Sequence, residues 1–221
     1  MASGVFDMIG PVMIGPSSSH TAGVAKIGRM GHNLLGGVPA EATVVFYNSF
    51  ATTFKGHGSD KAILGGLLGM QTDDPGIRNA EAEAESAGLA FTFQMIGNAS
   101  QYHPNSIELR LKNASRQITL LGESLGGGVI NIASVDGYKA GVNGDLTTIM
   151  ISAQDRPGVI AFVSDILAHD QCNIATMTVS RQEKNGLARH FIEVDSPPRS
   201  LTIEYLKSLP WIAGLYVVQP L

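Results

Sequence analysis

Near the start of the chain, Gly15-Pro16-Ser17-Ser18-Ser19-His20-Thr21-Ala22-Gly23 puts four hydroxyls and one imidazole between a Gly-Pro breaker and a glycine. A predicted helix, Thr21–Leu35, follows and is ended by Gly36-Gly37. A serine at this place can cap it, since a short side-chain oxygen satisfies the orphan N–H groups of a first turn. Hydroxyls at the positive end of a helix dipole suit an anion such as a carboxylate or phosphate. A second cluster carries similar chemistry: Thr52-Thr53-Phe54-Lys55-Gly56-His57-Gly58-Ser59-Asp60. It lies after a predicted strand and before a predicted helix, where open α/β sheets place ligand sites. His57 stands between two glycines, so its ring can be approached. Lys55 adds a cation, and Ser59 or Asp60 a cap. Converging, the two loops offer donors for a carboxylate and imidazoles of near-neutral pKa for proton transfer.

Two further stretches hold polar chemistry. Tyr102-His103-Pro104-Asn105 is a polar loop between strands, and Ser124-Leu125-Gly126-Gly127-Gly128 has bare N–H groups that can cradle an anion. Each has a plainer reading. Asn105 can start a turn, the triple glycine can bend a strand, and Lys55 can be a surface charge. His103 fits either reading, while His32, His169 and His190 are read as solvated. Several motifs are absent: no Cys cluster, no HExxH, no Walker loop, and no GxGxxG opening a helix after a strand. An anion site here serves a small ligand or is completed by another chain.

The elements must position these residues within 221 residues, enough for one large or two small domains. With 44% hydrophobic and 15% charged residues the chain can bury a core. A net charge of −4 and no Lys/Arg run argue against nucleic acid. No apolar run approaches a membrane span, and residues 1–14 lack a signal-peptide pattern. The single Cys172 excludes an internal disulfide framework and a cysteine-held metal cluster, so a cytoplasmic setting and no metal site in this chain are expected.

Helix Thr21–Leu35 places Val24, Ile27, Gly31 and Leu34 on one stripe. Glycines 23, 28 and 31 cost it roughly 1 kcal/mol each relative to alanine, so it must pack close to another backbone. A strand is predicted at Ala42–Phe50, then helices at Lys61–Met70 and Ile77–Ala87. Strands follow at Leu89–Ile96, Ile107–Leu111, Gln117–Leu121 and Val129–Val135, the last joined to Tyr138–Val142 by an Asp136-Gly137 hairpin turn. Val5–Ile9 fits a helix or a strand. Asn143-Gly144-Asp145 reads as a boundary between domains 1–142 and 146–221. Beyond it come a strand (Leu146–Ser152) and a helix (Val159–His169, capped by Asp155 with Pro157 in its first turn). Strands Ile174–Arg181 and Leu187–Val194, helix Leu201–Ser208 and strand Leu215–Val218 complete a ferredoxin-like βαββαβ order. The expected class is α+β, a mixed α/β domain followed by this smaller one.

The strings Phe6–Gly23 (FDMIGPVMIGPSSSHTAG), Phe54–Asp60 (FKGHGSD), His103–Asn105 (HPN) and Ser124–Gly128 (SLGGG) closely resemble the beta subunits of bacterial iron–sulfur-dependent L-serine dehydratases. The C-terminal part, with Asp155–Ile160 (DRPGVI), resembles an ACT domain. The likeness covers nearly the whole chain. It implies a two-chain enzyme whose alpha subunit holds a 4Fe–4S cluster through cysteines, and in which L-serine loses water and then ammonia to give pyruvate. It implies an N-terminal domain like the allosteric substrate-binding domains of some phosphoglycerate dehydrogenases. Carried onto this sequence, it makes His20 and His57 catalytic, either moving a proton or orienting substrate. Ser17, Ser18, Ser19, Thr21, Lys55, Asn105, Gly126 and Gly127 become substrate contacts. Asp155, Pro157 and Gly158 form the regulatory loop of the ACT domain, which implies a homodimer and leaves its ligand open, a monovalent cation such as potassium included. Two other readings fit some of the residues. One is a non-catalytic serine-sensing and dimerisation module. The other is a pyridoxal-phosphate dehydratase with Lys55 as Schiff base, for which a pre-ACT region of 142 residues is short.

Overall fold

The structure, a computed structural model, describes residues 12–221. Val5–Ile9 and the first residues of the Phe6–Gly23 string lie outside that range. The chain divides into two compact units at Asp136/Gly137, with Leu221 grouped with the first. The boundary read at 143–145 lies downstream of this division. The reason is that β6 (Tyr138–Val142) packs on strands of the second unit: Ser180 Oγ donates to Lys139 O at 3.1 Å, and Asn143 N to Glu193 Oε1 at 3.2 Å.

In the first unit the strand order is β2-β1-β3-β4-β5. These are β1 (Glu41–Tyr47), β2 (Ala90–Ile96), β3 (Ser106–Lys112), β4 (Gln117–Gly126) and β5 (Val129–Val135). Only β1 and β2 run parallel, joined by a crossover through α2 (Ser49–Thr53), α3 (Ser59–Leu67) and α4 (Ala80–Ser86). Helix α1 (Gly23–Leu35) lies on β3, β4 and β5 through Val24, Ile27, Gly31 and Leu34, all buried. The predicted close approach is to α3. A Cβ on Gly28 would come within 2.5 Å of Ile63 O, and one on Gly66 would strike Ala25 O. Small residues at matched places let the helix backbones touch, which offsets their poor helix propensity.

Two boundaries differ from expectation where side chains intervene. The strand predicted to Phe50 ends at Tyr47, because Asn48 takes φ 52, ψ −117 and breaks the ladder. Its amide reaches across the chain: Nδ2 donates to Ala99 O at 3.0 Å, and Oδ1 accepts from Ala99 N at 2.8 Å. The helix predicted from Ile77 starts with a 3-10 turn, Pro75–Asn79, capped by Asp74 Oδ1, which accepts from Gly76 N at 2.8 Å.

The second unit runs β7 (Thr147–Gln154), α5 (Val159–His169), β8 (Ile174–Arg181), β9 (Leu187–Val194), α6 (Ser200–Ser208), β10 (Ile212–Val218), in sheet order β10-β7-β9-β8. That is the ferredoxin-like arrangement, with the expected element types in the expected order. Asp155 does not cap α5. The cap is Gly158, at φ 90. Asp155 instead accepts from Arg181 Nη1 and from Asn185 N, which holds its carboxyl below the usual carboxylate range. His190 is also not solvated. It sits on β9, flanked by β7 and β8, and is buried with neither ring nitrogen hydrogen-bonded, which lowers its pKa. His32 is half-buried with Nδ1 2.8 Å from Leu67 O, while His169 is exposed as read.

The α1–α3 contact yields a test. Gly66→Ala should lower stability by about 1–3 kcal/mol in a urea titration. Gly97→Ala, where a Cβ meets nothing within 4 Å, should stay within about 0.5 kcal/mol.

Candidate functional site

The two loops singled out by composition converge. Ser17 caps the first, its extended backbone (φ −140, ψ 126) letting Oγ accept from His20 N at 3.1 Å. The chain then makes one π-helical turn, Ser18–Ala22, with Gly23 N–H bonded to Ser18 O, before α1 begins. Such π turns occur often at functional sites, because they displace side chains from regular helical spacing. Here the turn brings the His20 ring to 4.7 Å from the His57 ring, centroid to centroid, at 36°. Phe50 of α2 meets His20 edge-on at 4.8 Å. Asn48, by ending β1 where it does, sets where α2 and Phe50 fall.

Buried hydroxyls tie the loops together. Ser59 Oγ donates to His20 O at 2.6 Å, Ser124 Oγ to Ser19 O at 2.9 Å, and Thr21 Oγ1 to His57 O at 3.1 Å. Gly23 is needed for this: a Cβ there would collide with the Ser124 hydroxyl. Ser59, expected as a cap, is thus a brace, and the cap of α3 is Gly58 in the left-handed region at φ 68.

The imidazoles differ in environment. His20 Nδ1 has Ser19 Oγ at 2.9 Å and Ser17 Oγ at 3.4 Å, while its Nε2 is buried without a partner. When Nδ1 donates to Ser19, Nε2 presents a lone pair. Burial first, and then the neighbouring His57, hold the His20 pKa below the usual imidazole value, so its neutral form prevails at pH 7. His57 Nδ1 lies 3.3 Å from Thr53 O. A carbonyl only accepts, so in the neutral ring Nδ1 carries the proton and Nε2 is the acceptor. Each ring is held at Nδ1. A cavity of about 360 Å3 adjoins His57; Thr21 also lines it and His20 does not.

The other predicted residues fall as follows. Ser17, Ser18, Ser19 and Thr21 all belong to the capped turn. Asn105 lies beside it, its carbonyl accepting from Ser124 N at 2.9 Å. Gly126 and Gly127 form, with Gly128, the tight turn between β4 and β5, with φ of 95, 61 and 79. In that segment it is Ser124 that reaches the site. Lys55 is exposed, its Nζ 5.9 Å from the Phe54 ring, and does not line the cavity. Pro157 and Gly158 line a separate cavity of about 250 Å3 in the second unit, where Arg156 stacks on Trp211 at 4.8 Å. Asn48 and Phe50 were not expected as builders, and Ser124 was expected within an anion cradle rather than as a brace on Ser19 O. Only the Ser-Leu-Gly run marked Ser124 from sequence.

Residues 4–134 match the family model described as serine dehydratase beta chain. The chain belongs to that family. Serine dehydratase beta chains similar to it include a probable L-serine dehydratase beta chain of Bacillus subtilis (strain 168), 42% identical over 206 residues covering 93% of each chain. The L-serine dehydratase beta chain of Peptoniphilus asaccharolyticus is 33% identical over 193 residues, 87% of each. A D-3-phosphoglycerate dehydrogenase of Bacillus subtilis is 26% identical over 159 residues, covering 72% of this chain and 30% of that one. The serine dehydratase family is one of lyases. Among the described residues no group of three or more His, Cys, Asp or Glu is placed to hold a metal ion, and no helix is long and apolar enough to cross a membrane.

Ser59→Ala and Ser124→Ala should each lower stability by about 1–3 kcal/mol, since each leaves a buried carbonyl without its donor. Chemical denaturation measures this. A loss under about 0.5 kcal/mol for both would show that the hydroxyls do not hold the turn.

Proposed function

We propose that the chain is the beta subunit of a two-chain L-serine dehydratase, and that its first unit lends two imidazoles to a site whose 4Fe–4S cluster an alpha subunit carries. The described residues do not suit cluster binding: the sole cysteine, Cys172, is buried in the core of the second unit. When bound to its own subunit, such a cluster supplies a Lewis acid for the serine hydroxyl. This chain's part is proton handling. Loss of the α-proton and of hydroxide converts L-serine to aminoacrylate and water, and hydrolysis of aminoacrylate gives pyruvate and ammonia. His57 on the cavity wall and His20 beside it are the groups that accept and hold the α-proton, each with its ring fixed at Nδ1. Ser17, Ser18, Ser19, Thr21 and Asn105 orient them and the substrate. Gly126 and Gly127 act by shaping the turn after Ser124, and Lys55 acts outside the cavity.

The single observation that carries this reading is the 4.7 Å apposition of two imidazoles from loops 37 residues apart (57 − 20), one with a buried, unpartnered Nε2. The neutral state favoured at His20 is the one a general base needs. The second unit is proposed as a regulatory ACT domain that pairs with a second copy. Its loop Asp155, Pro157 and Gly158 adjoins the cavity that Arg156 and Trp211 line. The setting is proposed to be cytoplasmic.

The test is co-expression with a cluster-bearing partner and assay of pyruvate formed from L-serine. His20→Ala and His57→Ala should each lower kcat by about 100-fold or more. Full turnover in the double variant would overturn the site. Tight serine binding by this chain, with no partner recovered and no pyruvate formed, would favour a sensor module instead.

A further inference from the structure

The cavity beside His57 has a charge pattern that proton handling alone does not use. Two cations line it: Lys61, in the first turn of α3, and Arg78, in the 3-10 turn Pro75–Asn79. Among the described residues no Asp or Glu lines it. Neither cation has a carboxylate partner among the described residues. Both side chains are exposed at the rim of the cavity, where two like charges repel each other weakly through solvent. A bound anion reverses the sign of the interaction. The volume, about 360 Å3, is at the small end of ligand pockets and suits an acid of a few carbons rather than a nucleotide.

We infer that this cavity is a carboxylate subsite: it takes a small α-amino or α-hydroxy acid, with Lys61 and Arg78 as the charge partners of its carboxylate. Arg78 supplies a planar fork that matches a carboxylate, and Lys61 a point charge. Thr21 and His57 on the same wall then face the rest of the molecule. This rests on the dehydratase reading and moves the substrate's cation from Lys55, which lies outside the cavity, to Lys61 and Arg78.

The experiment uses the complex with the cluster-bearing partner, with Lys61→Gln, Arg78→Gln and Arg78→Lys. Both glutamine variants should raise KM for L-serine about tenfold or more, with a far smaller change in kcat, and Arg78→Lys should restore part of the loss. Calorimetric titration with L-alanine, which has no hydroxyl to lose, should show its Kd weakened to the same extent in the glutamine variants. KM and Kd within twofold of wild type in both would overturn the subsite. If His57→Ala then still abolishes turnover, the dehydratase reading stands without it. A complex that binds L-alanine through Lys61 and Arg78 yet makes no pyruvate supports the subsite and removes the dehydratase reading.

Discussion

Two backbone carbonyls, those of Ser19 and His20, are each held by a serine hydroxyl from a distant part of the chain: Ser124 on β4 and Ser59 on α3. Both serines are fully buried, where an unmet polar group is costly and a met one is directional. A serine-rich turn with no such anchors has many conformations open to it. With them, the π turn has one, and the His20 ring stands where the His57 loop can meet it. The Thr21 hydroxyl closes the arrangement by holding the His57 carbonyl. Hydroxyls that look like ligands in the sequence therefore serve partly as structure. Ser17 caps, Ser19 steadies an imidazole, and Thr21 ties two loops together.

That arrangement depends in turn on a helix pair packed at backbone distance. Gly28 and Gly66 let α1 and α3 approach until a Cβ on either would meet a carbonyl of the other. The starts of both helices carry the site, so their closeness sets the distance between the loops. The glycines that weaken α1 as an isolated helix are what make it useful in the fold. The strain at Asn48 belongs to the same design: its side-chain bonds to Ala99 hold a backbone conformation that turns the chain from β1 into α2, where Phe50 backs His20.

Local signals in the sequence were enough for the βαββαβ unit, for α1 and its buried stripe, for the Asp136-Gly137 turn, and for singling out the Ser-His and Gly-His loops, though not for their meeting. Each rests on spacing or turn chemistry within a few residues. What was hidden depends on contacts between distant residues. Nothing near Asn48 announces that Ala99 will hold it. Nothing around Ser59 tells a helix cap from a brace on His20. Lys55 stands next to His57 in sequence, yet Lys61, one helical turn further on, is the lysine that reaches the cavity. His190 looked solvated by type, but β9 has a neighbour on each side, and only sheet order reveals that.

Everything proposed for the site depends on the coupling of the two imidazoles. It is read most directly by following the histidine ring carbon resonances of the full chain through a pH titration, in the wild type and in His57→Ala. His20 should titrate below the usual value near 6.5, and its midpoint should move up once His57 is removed, because one of the two causes lowering it is then gone. A His20 midpoint at the ordinary value, indifferent to the loss of His57, would contradict that coupling.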